Sequence, residues 1–298
     1  AVTGLDDLNN YYSPRIKQRR LERLLASPGF TFHAGDIGDA AVVDRLFASA
    51  SPFDAVINLA ARAGVRASME DPHIYQRTNA EGGLNILESM RKTGCAKLVL
   101  ASTSSLYAGR ASPFRETDPV DTPISPYAAT KRAAEVMAYT YHHLYKIDVS
   151  IVRYFTVYGP AGRPDMSPLR FIHWIRQGRP IRLFGDGTQS RDFTYIDDIA
   201  RGTLLALQPV GYEIFNLGGG RRPVSMNEFI HLIEESLGRK AVIDHQPFHQ
   251  ADMLETAAVI DKARATLGWI PEIDLAEGVK RTVAWYLENQ SWLAAELD

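Results

Sequence analysis

With 298 residues, 45% of them hydrophobic, the chain is long enough for one large domain or two unequal ones with a sizeable core. Its 33 basic and 35 acidic residues leave a net charge of -2, which excludes a surface-wide field for nucleic acid or an anionic membrane as partner. The one cysteine, Cys95, excludes an intrachain disulfide and has no Cys or His at metal-ligand spacing. With no apolar run of membrane-spanning length and no signal peptide, the expectation is a cytoplasmic enzyme without a metal.

In chain order, short apolar runs alternate with amphipathic stretches, the rhythm of a parallel sheet covered by helices. Strands are predicted at 1–5, 30–33, 55–60, 97–102 and 149–154, with helices at about 15–27, 39–50, 72–93 and 126–146. The basic cluster SPRIKQRRLER has Leu21, Leu24 and Leu25 at helical spacing and reads as a solvated helix face rather than a binding patch. After Tyr154, Gly, Pro and Arg become dense through GPAGRPDMSP and QGRPIRLFGDGTQSRDF. The expected organisation is an α/β domain over 1–154 and a smaller substrate-binding lobe over 155–298, with some segments returning to the main sheet.

The strongest local signal is SPYAATKRAAE. Ser125 is a good N-cap and Pro126 suits the first helical position, so Tyr127 and Lys131 fall one turn apart on one face. A lysine ammonium beside a phenol favours the phenolate and lowers its pKa from about 10, towards a range where it acts as a base. The spacing alone is weak, because it arises by chance on many helices. A second element strengthens it: LVLASTSSLYAG runs an apolar strand into the hydroxyls of Ser102, Thr103, Ser104 and Ser105, at the strand end where ligands bind in open α/β sheets. Serines there are also turn formers. Paired with Tyr127 and Lys131, Thr103 becomes a hydrogen-bond partner for a hydroxyl being oxidised.

These residues, with GDIGD, VINLAARAGVR, RTNAEGGLNIL, RDFTYIDDIA and FNLGGG, carry a resemblance that runs from Leu5 to about Pro271. The chain resembles the extended short-chain dehydrogenase/reductases of the NAD-dependent sugar-nucleotide epimerase/dehydratase family. The resemblance implies a Rossmann-like doubly wound parallel sheet with a smaller C-terminal substrate-binding lobe. It also implies that the V-T-G of AVTGLDDLNN ends the second strand of the fold. The first strand, its Gly-rich turn and the first helix, roughly 25 to 30 residues, are then expected before Ala1 in the functional enzyme.

The resemblance implies bound NAD, with Asp6 accepting hydrogen bonds from the adenosine ribose and Asp7 and Asn9 nearby. Asp36 and Ile37 would meet the adenine, and Leu59, Ala60 and Ala61 the pyrophosphate and nicotinamide ribose, to which Lys131 would also bond. On the substrate side it places Thr156 at the sugar, Phe184 near the uracil, Arg191 at the diphosphate and Asp252 at the uridine ribose. The partner is thus a UDP-sugar. The stretch RYFTVYGPAGRPDM resembles a branch acting on a UDP-hexuronate, with Thr156 where many relatives carry Asn.

In such enzymes the tyrosine would take the proton of the sugar C4 hydroxyl while hydride leaves C4. Family dehydratases use an Asp-Glu pair directly after the threonine and decarboxylases a Glu in the second place; here Ser104 and Ser105 occupy both. Return of hydride to the other face, epimerisation at C4, is the expected outcome. Thr103, Ser104, Ser105 and Thr156 would cradle the carboxylate. Arg66 and Arg163 are expected to meet the carboxylate or the diphosphate, with a structural salt bridge as the alternative for each. Arg62 is expected to be structural.

Asn58 departs from the His common in the family, and FHQAD lacks the Pro-Gly often found before the residue matching Asp252. His245 and His249 with Asp244 and Asp252 are not expected to hold a metal, because Asp252 has another role. The family commonly dimerises through helices matching 72–93 and 126–146, so a homodimer is expected. Val136, Met137, Tyr141 and Leu144 suit that interface and equally suit burial against the sheet.

Overall fold

The computed structural model describes residues 1–49, 52–248 and 253–297. Its first half alternates as the sequence predicts: β1 (Val2–Asp6), α1 (Pro14–Leu25), β2 (Phe30–Ala34), α2 (Ala40–Ser49) and β3 (Val56–Asn58). Short helices α3 (Ala67–Glu70) and α4 (Pro72–Tyr75) lead through a π-helical turn, Gln76–Glu81, into α5 (Gly82–Thr93). Then come β4 (Lys97–Thr103), a 3-10 turn at Ser104–Tyr107, α6 (Pro126–Tyr145) and β5 (Asp148–Tyr154).

The second half contains β6 (Thr156–Tyr158), α7 (Ser167–Gln177), β7 (Ile181–Phe184), β8 (Ser190–Arg191), β9 (Phe193–Tyr195) and α8 (Ile196–Leu205). It continues with β10 (Tyr212–Leu217), β11 (Val224–Ser225), α9 (Met226–Leu237), β12 (Ile243–Gln246), α10 (Asp261–Leu267) and α11 (Leu275–Leu297).

The main parallel sheet has the order β10-β5-β4-β3, so β10 is the expected segment that returns from the second half. Every residue of β4 is buried, because helices cover both faces of the sheet. The β1–β2 pair is also parallel but forms a ladder of its own; among the described residues β1 pairs only with β2 and β3 only with β4. Val2, Ile57 and Leu59 on these strands and their ends are exposed. Strand β3 is shorter than the predicted 55–60. Its ladder to β4 ends at Asn58, whose side chain then accepts from the Ala60 amide at 3.2 Å and turns the chain out of the sheet.

One core packs α2, α5 and α6 against the sheet through Val43, Phe47, Leu87, Met90, Leu98 and Ile151. Another joins α7, α9, α11 and β7 through Leu169, Ile172, Ile181, Phe229, Ile233 and Tyr286. Ile16 of α1 is buried in this second core, so α1 ties the two halves together. The basic cluster on α1 is accordingly not all solvated: Arg15 pairs with Glu296 at 2.9 Å, and Arg20 donates to the Gly162 carbonyl at 2.8 Å. No described helix is long and apolar enough to cross a membrane.

Candidate active site

The site begins with how α6 starts. The Ser125 hydroxyl accepts from the Ala128 amide at 3.2 Å and Pro126 occupies the first turn, which fixes the helix entry and sets Tyr127 and Lys131 on one face. Thr103 ends β4, where its hydroxyl oxygen accepts from the Ser105 amide at 3.1 Å and its side chain hydrogen bonds to Tyr127. Strand end and helix start therefore bring Thr103 and Tyr127 together, with Lys131 one turn further along α6. Tyr75, 2% exposed, lies against Tyr127 and donates to the Ala63 carbonyl at 2.8 Å.

Electrostatics correct one expectation. Burial raises the Tyr127 pKa in the protein alone, and the opposing influences are the Thr103 hydrogen bond and the charge of Arg163 rather than Lys131. Lys131 is 4% exposed, and burial lowers its pKa to about 8 against the attraction of Glu135. At neutral pH the ammonium form therefore still prevails.

Arg163 makes the salt bridge that was one of its two alternatives. Its guanidinium donates to Asp165, Nε to Oδ1 at 3.0 Å with a second bond to Oδ2, and its charge also reaches Tyr127. Arg66 is brought instead to Phe184, its guanidinium 3.9 Å from the ring centroid. Burial lowers the pKa of Arg170, and the nearby Arg182 and Arg66 add to this against the opposing charge of Asp165, so these three cations lie close to one another. Ser104 and Ser105 are half-buried in the turn after β4, and Thr156 opens β6 with its amide donating to the Asp192 carbonyl at 3.3 Å. Arg191 lies in β8 with its guanidinium donating to the Ser190 carbonyl at 2.8 Å. Asp252 lies outside the described residues.

A pocket at the carboxyl ends of β1 and β3 is lined by Asp6, Asp7, Asn9, Asp36, Ile37, Ala60 and Ala61. All the predicted cofactor residues except Leu59 and Lys131 thus converge; Leu59 is 59% exposed and stands outside it. Asp6 accepts from the Leu8 amide at 2.7 Å, Asp36 pairs with Arg77 at 3.0 Å, and Asp7 pairs at 3.3 Å with Arg62, which also lines this pocket. Carboxylates and small side chains together in this lining fit the ribose and adenine end of a dinucleotide. No glycine-rich turn follows β1, where the chain reads Asp7-Leu8-Asn9.

Comparison with known proteins fits this arrangement. The profile of the NAD dependent epimerase/dehydratase family matches residues 1–218. The chain belongs to this family. Among its relatives, a UDP-glucuronate 4-epimerase of Thermodesulfobacterium geofontis is 56% identical over 289 residues, 97% of this chain and 89% of that protein. A probable UDP-glucuronate 4-epimerase of Rhizobium meliloti is 40% identical, over 97% of this chain and 90% of the relative. The crystal structure of the Bacillus cereus UDP-glucuronic acid 4-epimerase with UDP-glucuronic acid and NAD superposes with a TM-score of 0.90 at 32% identity, over 97% of this chain and 91% of that one.

Motif reading missed several residues of this family member that only folding assembles. Tyr75, Tyr11 and Asp165 surround the Tyr127–Arg163 pair; no local pattern marks the two tyrosines, and Asp165 lies within RYFTVYGPAGRPDM two residues after Arg163. Asp192 was hidden beside Arg191: it is 2% exposed and accepts from the Ala258 amide at 2.8 Å, with further bonds from the Gly219 and Gly220 amides. Burial still raises its pKa to about 6.

Proposed function

We propose that this NAD-dependent family member interconverts UDP-glucuronate and UDP-galacturonate by inverting C4 of the sugar. The observation that carries the reading is the meeting of Tyr127, Thr103 and Arg163 one helical turn from Lys131, with hydroxyls at Ser104 and Ser105 where a dehydratase or decarboxylase would need carboxyls. The family and the Bacillus cereus complex support it.

Tyr127 acts as the base that takes the C4 hydroxyl proton, Thr103 holds that hydroxyl, and Arg163 favours the phenolate that must form. Lys131, charged at neutral pH, lies one turn below and steadies the nicotinamide ribose. Bound at the pocket of Asp6, Asp36, Ala60 and Ala61, NAD supplies the acceptance of hydride from C4 and its return. Tyr127 then gives the proton back to the inverted alkoxide. Thr156, Ser104 and Ser105 hold the uronate carboxylate out of the geometry for CO2 loss. Arg66, Phe184, Arg191 and Asp252 hold the nucleotide, with Arg66 stacked on Phe184.

The same reading assigns residues 1–154 to cofactor binding and 155–298 to the sugar nucleotide. It takes the protein to be a cytoplasmic homodimer. Val136 and Leu144 are exposed on α6 beside Tyr139 and Tyr145, whereas Met137 and Tyr141 turn into the sheet-side core. Incubation of the full chain with UDP-glucuronate and NAD, followed by NMR of the products, tests the reading. UDP-galacturonate is expected; a UDP-pentose with CO2 overturns it.

A further inference from the structure

Glu135 is the most deeply buried charge near the site, at 0% exposure, and the proposed chemistry does not use it. It stands one turn beyond Lys131 on α6. Its Oε1 accepts from Ser102 Oγ at 2.6 Å and from Arg153 Nε at 2.9 Å; its Oε2 accepts from Arg153 at 2.8 Å and from Arg132 at 3.0 Å. Ser102 immediately precedes Thr103 on β4, and Arg153 lies on β5, whose register places it opposite Ser102. Arg153, 1% exposed, donates onward to the Tyr107 hydroxyl at 2.8 Å, which donates to Asn216 on β10 at 2.7 Å. One carboxylate thus fastens α6 to two adjacent strands directly and to a third through Arg153.

We propose that Glu135 is a positioning residue for the reaction: it locks the helix of Tyr127 and Lys131 to the strand end of Thr103, and it sets a buried negative charge one helical turn from Lys131. The proposal rests on the reading of Tyr127 and Lys131 given above. A bidentate, fully hydrogen-bonded carboxylate at this depth is rigid, so the relative placement of Thr103 and Tyr127 is set by Glu135 rather than by loops. Its charge also acts along the helix. Burial lowers the Lys131 pKa, and Glu135 is the anion that opposes this.

The charged and titratable groups that face this pair are Arg132 on α6, Arg153 on β5, Tyr107 in the 3-10 turn and Tyr212 on β10. Around Tyr127 they are Tyr75 on α4 and Arg163 before α7. Two further anions lie in these surroundings, Asp165 paired with Arg163 and Glu116 near Tyr107, and Glu135 is the one whose charge acts on Lys131.

The test is the titration of Lys131 itself, followed by NMR of lysine labelled at the ε position in the full chain, with Lys131→Met identifying the signal. Glu135→Gln is expected to move the Lys131 midpoint down by about one pH unit and to lower kcat at least tenfold with little change in KM for UDP-glucuronate. Because this variant leaves Arg153 without its counter-charge, Glu135→Gln/Arg153→Met serves as the second measurement, and its Lys131 midpoint is expected below the parent value too. Glu135→Asp, which keeps the charge, is expected to restore the midpoint. A folded double variant in which Lys131 titrates as in the parent overturns the proposal. The titration needs neither NAD nor turnover, so it is separable from a failure of the functional reading, which would show as activity retained in Tyr127→Phe.

Discussion

The rings of Tyr75 and Tyr127 meet edge to face, with centroids 6.3 Å apart and planes at 79°. Tyr75 comes from α4 and is pinned by its hydroxyl to the Ala63 carbonyl, so the segment after β3 forms one wall of the site around the base. Tyr75→Phe keeps the ring and should change kcat less than about fivefold, since one neutral hydrogen bond is worth about 1 kcal/mol. Tyr75→Ala removes the wall. A stability loss of about 3 kcal/mol in denaturant melts, with a fall in kcat, is the expected outcome.

Tyr127→Phe removes the proton acceptor and leaves the ring in place. Turnover should fall by about 10² to 10⁴-fold, while UDP binding measured by calorimetry stays within about twofold. Activity near the parent level would mean that another group takes the C4 proton.

Lys131 gives a pH signature of two opposite signs. Its folded pKa of about 8 lies below the unfolded value near 10.4, so between these values the unfolded chain binds the proton that the folded chain has lost. The Lys131 contribution to stability therefore rises as pH climbs through that window. Activity should fall there, because the ammonium disappears. Thermal melts of the parent and of Lys131→Met, set beside kcat over the same pH range, check both directions.

Much of this site was legible in the sequence because its parts are local. Ser125 and Pro126 declare the helix start, and the i, i+4 spacing then fixes where Tyr127 and Lys131 point. The hydroxyl run after an apolar strand placed Thr103 as directly. Other relationships were out of reach, because they join elements far apart in the chain: Arg66 on Phe184, Tyr75 on Tyr127, Arg153 on Glu135. The Tyr127 shift runs opposite to the expectation from spacing for a related reason. Helical spacing announces a lysine neighbour, whereas burial and the field of Arg163 arise only in the folded chain.

Gly219 approaches Asp192 so closely that a Cβ there would lie 2.2 Å from Oδ1 and 3.0 Å from the Phe193 carbonyl. Gly219→Ala should therefore cost about 3 kcal/mol and weaken UDP binding, because Asp192 holds the end of β10 and the 256–258 segment to the strand of Arg191. The raised carboxyl has its own signature. With a folded pKa of about 6 above the unfolded value, its contribution to stability is full below about pH 4 and is lost as pH rises through about 6. Chemical melts of Asp192→Asn against the parent across that interval should show the difference.

Removal and return of one hydride at C4 is the centre of the account, and the fate of an isotope at that carbon measures it directly. UDP-glucuronate carrying deuterium at C4, incubated with the full chain and NAD in ordinary water and followed by NMR, should yield UDP-galacturonate that keeps the deuterium at C4. Replacement of the label by solvent hydrogen in the product, or release of CO2 with a UDP-pentose, would contradict it.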